Sequence, residues 1–193
     1  MSDKMNYPYR LILASGSPRR RKLLAKLGYA FEICISDVDE HVDCPADEAV
    51  AVLARRKAEA AAAACKEGLI IASDTLVALE GRALGKPVDE DDARRMLESL
   101  SGREHEVFTG VCLLDAATGR RMSAVERTGV RFRPLSAEEI DAYIATGEPM
   151  DKAGAYGIQG GAGKFVEALD GSFENVMGFP VDDVAELLSR FGF

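Results

Sequence analysis

The segment from Leu11 to Lys22 reads Leu-Ile-Leu-Ala-Ser-Gly-Ser-Pro-Arg-Arg-Arg-Lys, an apolar strand running into a small polar turn and then a helix opened by Pro18. Arg19, Arg20, Arg21 and Lys22 fill the first turn of that helix, where the backbone dipole already favours anions. Cations at that end make sense when something strongly negative docks among them, and a polyphosphate is the natural candidate. On a wheel of about 100° per residue, Leu23, Leu24 and Leu27 form the core stripe and Arg20 falls on it. A cation on that stripe needs a partner or a ligand, because burying it unpaired is costly. Arg19 lies to one side, while Arg21 and Lys22 turn toward solvent, so Arg19 and Arg20 are the expected working pair. Ser17 serves as N-cap and Gly28 as stop.

The remaining punctuation predicts a strand over 30–35, an acidic loop over 36–41 and an alanine-rich helix over 46–67. That helix has a stripe of Val50, Leu53, Ala54 and Ala61, with Lys57 in the middle of it. An extended apolar run over 69–79 is interrupted by Asp74, and Gly81 turns it into a segment ending Gly85-Lys86-Pro87. A helix follows over 89–100, then a hairpin of 106–114 and 122–132 around Thr118-Gly119, then a helix opened by the capping box Ser136-Ala-Glu-Glu139. Five glycines fall within residues 154–163, a density that reads as a loop approaching a ligand. A strand over 164–168 and a helix over 181–191 close the chain. Crossover units mixed with hairpins predict an α/β fold with a mixed, twisted sheet and flanking helices.

With 193 residues, 47% of them hydrophobic, the chain can bury a core as one domain over 10–193, preceded by a flexible tail over 1–9. A formal charge of -8 excludes a general footprint for nucleic acid polymers, so any basic site is local. No run reaches the length of a membrane span and no hydrophobic signal segment precedes Leu11, so a cytoplasmic location is expected. Cys34, Cys44, Cys65 and Cys112 form no CxxC pair and read as thiols in a reducing compartment; His41 and His105 lie too far apart for a zinc signature.

Asp74 sits in an apolar run where a structural protein has little reason to place a charge. It suits a general base for water or a metal ligand, and equally a carboxylate capping a turn or pairing with an arginine. Glu40, with Asp37 and Asp39, could help hold a divalent ion or simply form a solvated face. Oxygen ligands and a polyphosphate would favour Mg²⁺, with Mn²⁺ the alternative. Lys57 and Lys86 read as point-charge phosphate contacts, although Lys57 is also placed as a snorkelling stem and Lys86 as an ordinary loop lysine. Gln159 offers both donor and acceptor, as base recognition requires, or stabilises its own turn. The absence of GxGxxG, GxxxxGK[ST] and GxSxG leaves a Rossmann site, a P-loop and a serine elbow unsupported.

Taken together, Ala14-Ser-Gly-Ser-Pro-Arg-Arg20, Ser73-Asp-Thr75, Gly85-Lys-Pro87, Leu100-Ser-Gly102 and Asp151-Lys-Ala-Gly-Ala-Tyr-Gly-Ile-Gln-Gly160 resemble the Maf family of nucleoside triphosphate pyrophosphatases, the septum-formation-inhibitor-like proteins. The resemblance implies a two-lobed fold like that of inosine triphosphate pyrophosphatases, with the active site in the cleft. The last motif resembles the branch acting on dTTP and UTP more than the branch acting on 7-methyl-GTP. By that resemblance Asp74 is the proton acceptor; Arg19, Thr75 and Gln159 correspond to specificity positions; Ser15, Ser17, Arg20, Lys57 and Lys86 correspond to phosphate-binding positions; and Glu40 joins Asp74 at the metal. It further implies hydrolysis of a pyrimidine nucleoside triphosphate to the monophosphate and pyrophosphate, in a homodimer. A nucleotide-responsive regulator of cell division is the rival reading.

Overall fold

The computed structural model describes residues 10–35 and 37–193, so the tail expected over 1–9 lies outside the described residues. Strand β1 (Leu11–Leu13) is fully buried and leads through Ser15-Gly16-Ser17 into α1 (Pro18–Lys26), with Pro18 in the first helical position. Ser17 occupies the N-cap position, but its side chain makes no capping hydrogen bond. Strand β2 (Glu32–Ile33) is shorter than expected and exposed at the sheet edge. Helix α2 (Ala46–Ala64) also stops early. Gly68, at φ +111°, must bring the chain back beside β1, and a Cβ there would lie 2.9 Å from the Arg10 carbonyl.

Strand β3 (Leu69–Leu79) continues through a tight turn into β4 (Arg82–Leu84) and then α3 (Glu90–Leu100), capped by Asp89. The hairpin β5 (Glu104–Asp115) and β6 (Arg121–Phe132) is longer at both ends than its alternation suggests. Helix α4 (Ala137–Ile144) carries the expected capping box. The glycine-rich stretch that follows is no open loop: short 3₁₀ turns occupy Glu148–Asp151, Ala153–Ala155 and Gly161–Phe165. That last turn displaces the final strand, β7 (Val166–Asp170), toward the C-terminus of its expected span. The chain ends with a one-turn helix the periodicity does not reveal, α5 (Phe173–Val176), and with α6 (Val181–Phe191).

The seven strands form one mixed sheet in the order β2-β1-β3-β5-β6-β7, with β4 beside β3. β1 runs parallel to β2 and β3, and the other pairings are antiparallel. Parity decides what each face carries. Ile70, Ala72, Cys112 and Leu114 pack on one face against Ala54, Ala58 and Ala61 of α2. Leu69, Ile71, Val77, Val111, Leu113 and Phe132 face the larger core beneath α1, α3, α4 and α6. Gly110 permits the close approach of α2, because a Cβ there would sit 2.4 Å from the Val50 carbonyl oxygen.

β1 pairs with β3 only through Leu69, Ile70 and Ile71, and β4 joins the same edge only at Val77. Between them lies a notch, and Asp74 and Thr75 sit in it.

Candidate active site

The notch opens into a cleft of about 880 Å³ lined by Ser17, Arg19, Arg20, Glu40, Lys57, Asp74, Thr75, Lys86 and Gln159 among others. Nine of the ten expected site residues therefore meet at one place. Ser15, the tenth, is buried behind the wall: its Oγ accepts a hydrogen bond from the Ser17 backbone N–H at 3.1 Å and shapes the turn into α1. Ser17, whose side chain is unused as a cap, lines the cleft.

Asp74 has the parity of Ile70 and Ala72, so its carboxylate points to the α2 face. Lys57 descends from α2 to meet it, Nζ to Oδ1 at 2.5 Å, with both side chains nearly buried. The same ammonium lies 2.7 Å from Glu40 Oε1, and Lys86 lies 3.8 Å from the other oxygen of Glu40. The hydrogen bond from Lys57 holds the Glu40 carboxyl below the usual carboxylate range, with burial opposing and the charges of Lys57, Lys86 and Arg20 assisting. Lys57 thus draws two carboxylates to one corner of the cleft. The cation on the apolar stripe of α2 is explained by this pairing rather than by snorkelling.

Arg20 resolves the same puzzle on α1. Its Nε donates to the Gly178 carbonyl at 2.9 Å and a terminal nitrogen donates to Thr75 Oγ1 at 3.3 Å. Burial lowers its pKa, and the charges of Asp74 and Glu40 pull it back up; a guanidinium remains charged throughout. Thr75 has the opposite parity to Asp74 and faces Thr109, with 3.0 Å between hydroxyl oxygens. Thr109 Oγ1 also lies 3.0 Å from the Asn175 carbonyl, which can only accept. The Thr109 proton is committed there, so Thr75 donates to Thr109 and offers lone pairs to Arg20 and to the cleft. In this arrangement Thr75 is an acceptor toward the cleft, which suits a hydroxyl, an N–H or a water better than an ionised phosphate oxygen.

Sequence patterning misses the supporting turn around α5. Asn175, fully buried, donates through Nδ2 to the Val107 carbonyl at 3.1 Å and to Thr128 Oγ1 at 2.9 Å. Gly178, at φ +96°, delivers its carbonyl to Arg20 and to Ser73 Oγ. The only sequence trace of this arrangement is Ser172 three residues before Asn175, a capping spacing too short to reveal one helical turn. Glu148 also lines the cleft and lies outside every motif, and so do Asp151 and Lys152, which open the last motif without an expected role of their own. Lys152 bonds Asp151 at 2.6 Å and holds its carboxyl below the ordinary range.

Asp37 and Asp39 are not part of this wall. Asp39 Oδ1 instead accepts from the His41 backbone N–H at 2.9 Å. Among the described residues no three His, Cys, Asp or Glu side chains gather as a metal cage. Two carboxylates beside a cationic pocket nevertheless fit the way Mg²⁺ binds, through one or two protein oxygens with phosphate and water completing the shell. No helix among the described residues is long and apolar enough to cross a membrane.

A buried carboxylate in a sheet notch, flanked by cations from two helices and a loop, is the architecture of a phosphate-handling α/β cleft. The chain belongs to the Maf-like protein family, whose profile matches residues 10–191. It is 52% identical over 189 residues to the dTTP/UTP pyrophosphatase of Anaeromyxobacter dehalogenans, covering 95% of each chain. It is 48% identical over 188 residues to the dTTP/UTP pyrophosphatase of Bdellovibrio bacteriovorus, covering 94% of this chain and 98% of that one. A third similar protein, the dTTP/UTP pyrophosphatase of Carboxydothermus hydrogenoformans, is 50% identical over 185 residues, with 95% of this chain and all of that one covered.

Proposed function

We propose that this chain is a nucleoside triphosphate pyrophosphatase that hydrolyses dTTP and UTP to the monophosphate and pyrophosphate. The observation that carries the reading is the Asp74–Lys57 pair set at the sheet notch in one cleft with Arg19, Arg20 and Lys86. A triphosphate needs cations spread along the cleft, and a water-activating group needs one carboxylate held still. Lys57 engages Asp74 Oδ1, leaving Oδ2 to take the proton from the attacking water. Arg20, itself fixed by Gly178 and Thr75, stabilises charge that grows on the phosphate oxygens, and Lys86 and Arg19 serve the leaving pyrophosphate. Gln159 reads the base through its paired donor and acceptor, and the Ser17 hydroxyl contributes a donor at the start of α1.

Glu40 and Asp74 would hold a divalent ion, Mg²⁺ by its taste for oxygen ligands, which when bound neutralises phosphate charge. Pyrophosphate release from a panel of nucleoside triphosphates with Mg²⁺ tests the reading. Turnover fastest on dTTP and UTP supports it. Preferred turnover of 7-methyl-GTP, or nucleotide binding without turnover, refutes it.

A further inference from the structure

One tyrosine and one glutamate pin both ends of the turn that displays Gln159. The turn is closed by the Gly160 N–H donating to the Gly157 carbonyl at 3.0 Å. At its start, the Gly157 N–H donates to the Tyr143 hydroxyl oxygen at 3.1 Å. That hydroxyl donates in turn to Glu148 Oε1 at 3.0 Å. At the far end, the Gly161 N–H donates to Glu148 Oε2 at 3.0 Å. Lys152 anchors the glutamate's own backbone, donating to its carbonyl at 2.7 Å.

The glycines here are shaped by this clamp. A Cβ on Gly160 would lie 1.8 Å from Glu148 Oε1, and one on Gly157 would lie 2.7 Å from Lys152 Cε. A Cβ on Gly161 would meet the Tyr143 ring at 3.1 Å. The glycine density that suggests a ligand passing over bare backbone therefore records, at these three positions, the protein's own side chains lying against it. Burial raises the pKa of Tyr143, so its phenol stays protonated and keeps donating to Glu148.

We propose that Tyr143 and Glu148 are positioning residues for substrate selection, holding the 157–161 turn so that Gln159 meets the base in fixed register. The inference rests on the reading of Gln159 as the base-contacting side chain. An exposed turn of glycines has wide conformational freedom, and a side chain misplaced by about 1 Å forfeits much of a directional contact. The hydrogen bonds of the pair run to each other and to the turn, and because Glu148 also lines the cleft, the double variant with Gln159→Ala separates an effect passed through Gln159 from a direct contact.

The test measures kcat and KM for UTP and CTP, with Mg²⁺, alongside melting midpoints. Tyr143→Phe removes the hydroxyl that serves both Glu148 and Gly157. Its preference for UTP over CTP is expected to fall about tenfold, the equivalent of one or two lost hydrogen bonds, chiefly through a higher KM for UTP. Glu148→Ala should match it, whereas Glu148→Gln, which retains an acceptor for Gly161, should recover part of the preference. Gln159→Ala should lose the same preference, and the Tyr143→Phe/Gln159→Ala double variant should lose no more than Gln159→Ala alone. Equal loss on both nucleotides in Tyr143→Phe, or a lower melting midpoint with preference intact, overturns the proposal, as does multiplicative loss in the double variant. If Gln159→Ala itself leaves the preference unchanged, the base-reading assignment falls and takes the clamp's role with it.

Discussion

The ammonium of Lys57 stands 2.5 Å from the carboxylate of Asp74, bridging α2 and β3 where, among the described residues, the β3 edge lacks a strand beside it. Both side chains are nearly buried, so each charge compensates the burial of the other, and Glu40, 2.7 Å away, gives Lys57 a second partner. As the proton acceptor, Asp74 is expected to account for roughly 10²–10⁴-fold of the rate. Asp74→Asn keeps the shape and one hydrogen-bonding oxygen, so turnover should fall by about that factor while circular dichroism and the melting transition report a folded protein. Turnover within about twofold of the unsubstituted chain would remove Asp74 from that role.

Gly110 is the strand partner of Asp74 and the point where α2 crosses closest to the sheet. A Cβ there would lie 2.4 Å from the Val50 carbonyl oxygen and 2.8 Å from the Ala51 nitrogen, both backbone atoms that cannot rotate away. Gly110→Ala must lift α2, and with it Lys57. Overpacking of this kind costs on the order of 1–3 kcal/mol, seen as a lower denaturant midpoint, and turnover should fall with it. An unchanged midpoint with full turnover would show that α2 does not need this approach.

Much of this arrangement is legible in the amino-acid order itself. Arg20 and Lys57 betray themselves as cations on apolar stripes, and Asp74 as a carboxylate in an apolar run; each is a local conflict that only a partner or ligand resolves. What holds them is less legible. The Gly178 carbonyl reaches Arg20 across 158 positions of chain, and Thr109 reaches Thr75 across 34, so neither partner follows from local periodicity. Ser15 reads as a phosphate contact because it shares a motif with Arg19 and Arg20; the bond its Oγ accepts from the Ser17 N–H, which no local pattern announces, leaves its own proton free to donate. The glycine-rich stretch does reach the cleft, through Gly157, Gln159 and Gly160, but a glycine records only that something comes close to the backbone, and at Gly160 that something is Glu148.

The Thr109 hydroxyl sets the direction in which Thr75 donates. Thr109→Val removes that hydroxyl, takes one of two donors from the Asn175 carbonyl, which keeps the Gly178 N–H at 2.8 Å, and frees the Thr75 proton to turn toward the cleft. A stability loss of about 0.5–1.5 kcal/mol is expected from the lost hydrogen bond. Thr109→Ser, which keeps the hydroxyl, should retain most of the hydrogen bonding. If the two variants share the same KM for UTP, the polarity of Thr75 has no bearing on substrate binding.

His105 makes stability depend on pH in a predictable direction. It is buried against Phe132 and Tyr156, with Nε2 2.8 Å from the Tyr156 hydroxyl and Nδ1 without a hydrogen-bond partner among the described residues. Burial lowers its pKa from 6.5 to about 4. Between those values the unfolded chain binds a proton that the folded chain refuses, so stability falls as pH drops from about 6.5 toward about 4 and levels below that. The depressed value corresponds to roughly 3 kcal/mol at most, fully present above pH 6.5. His105→Gln keeps a polar group near Tyr156 but does not titrate. Denaturant midpoints of both chains, followed from pH 7.5 to 4, should diverge least at low pH, the unsubstituted chain losing its advantage as His105 in the unfolded state becomes charged. Parallel curves over that range would mean that His105 is charged in the fold or that its site opens to water before it titrates.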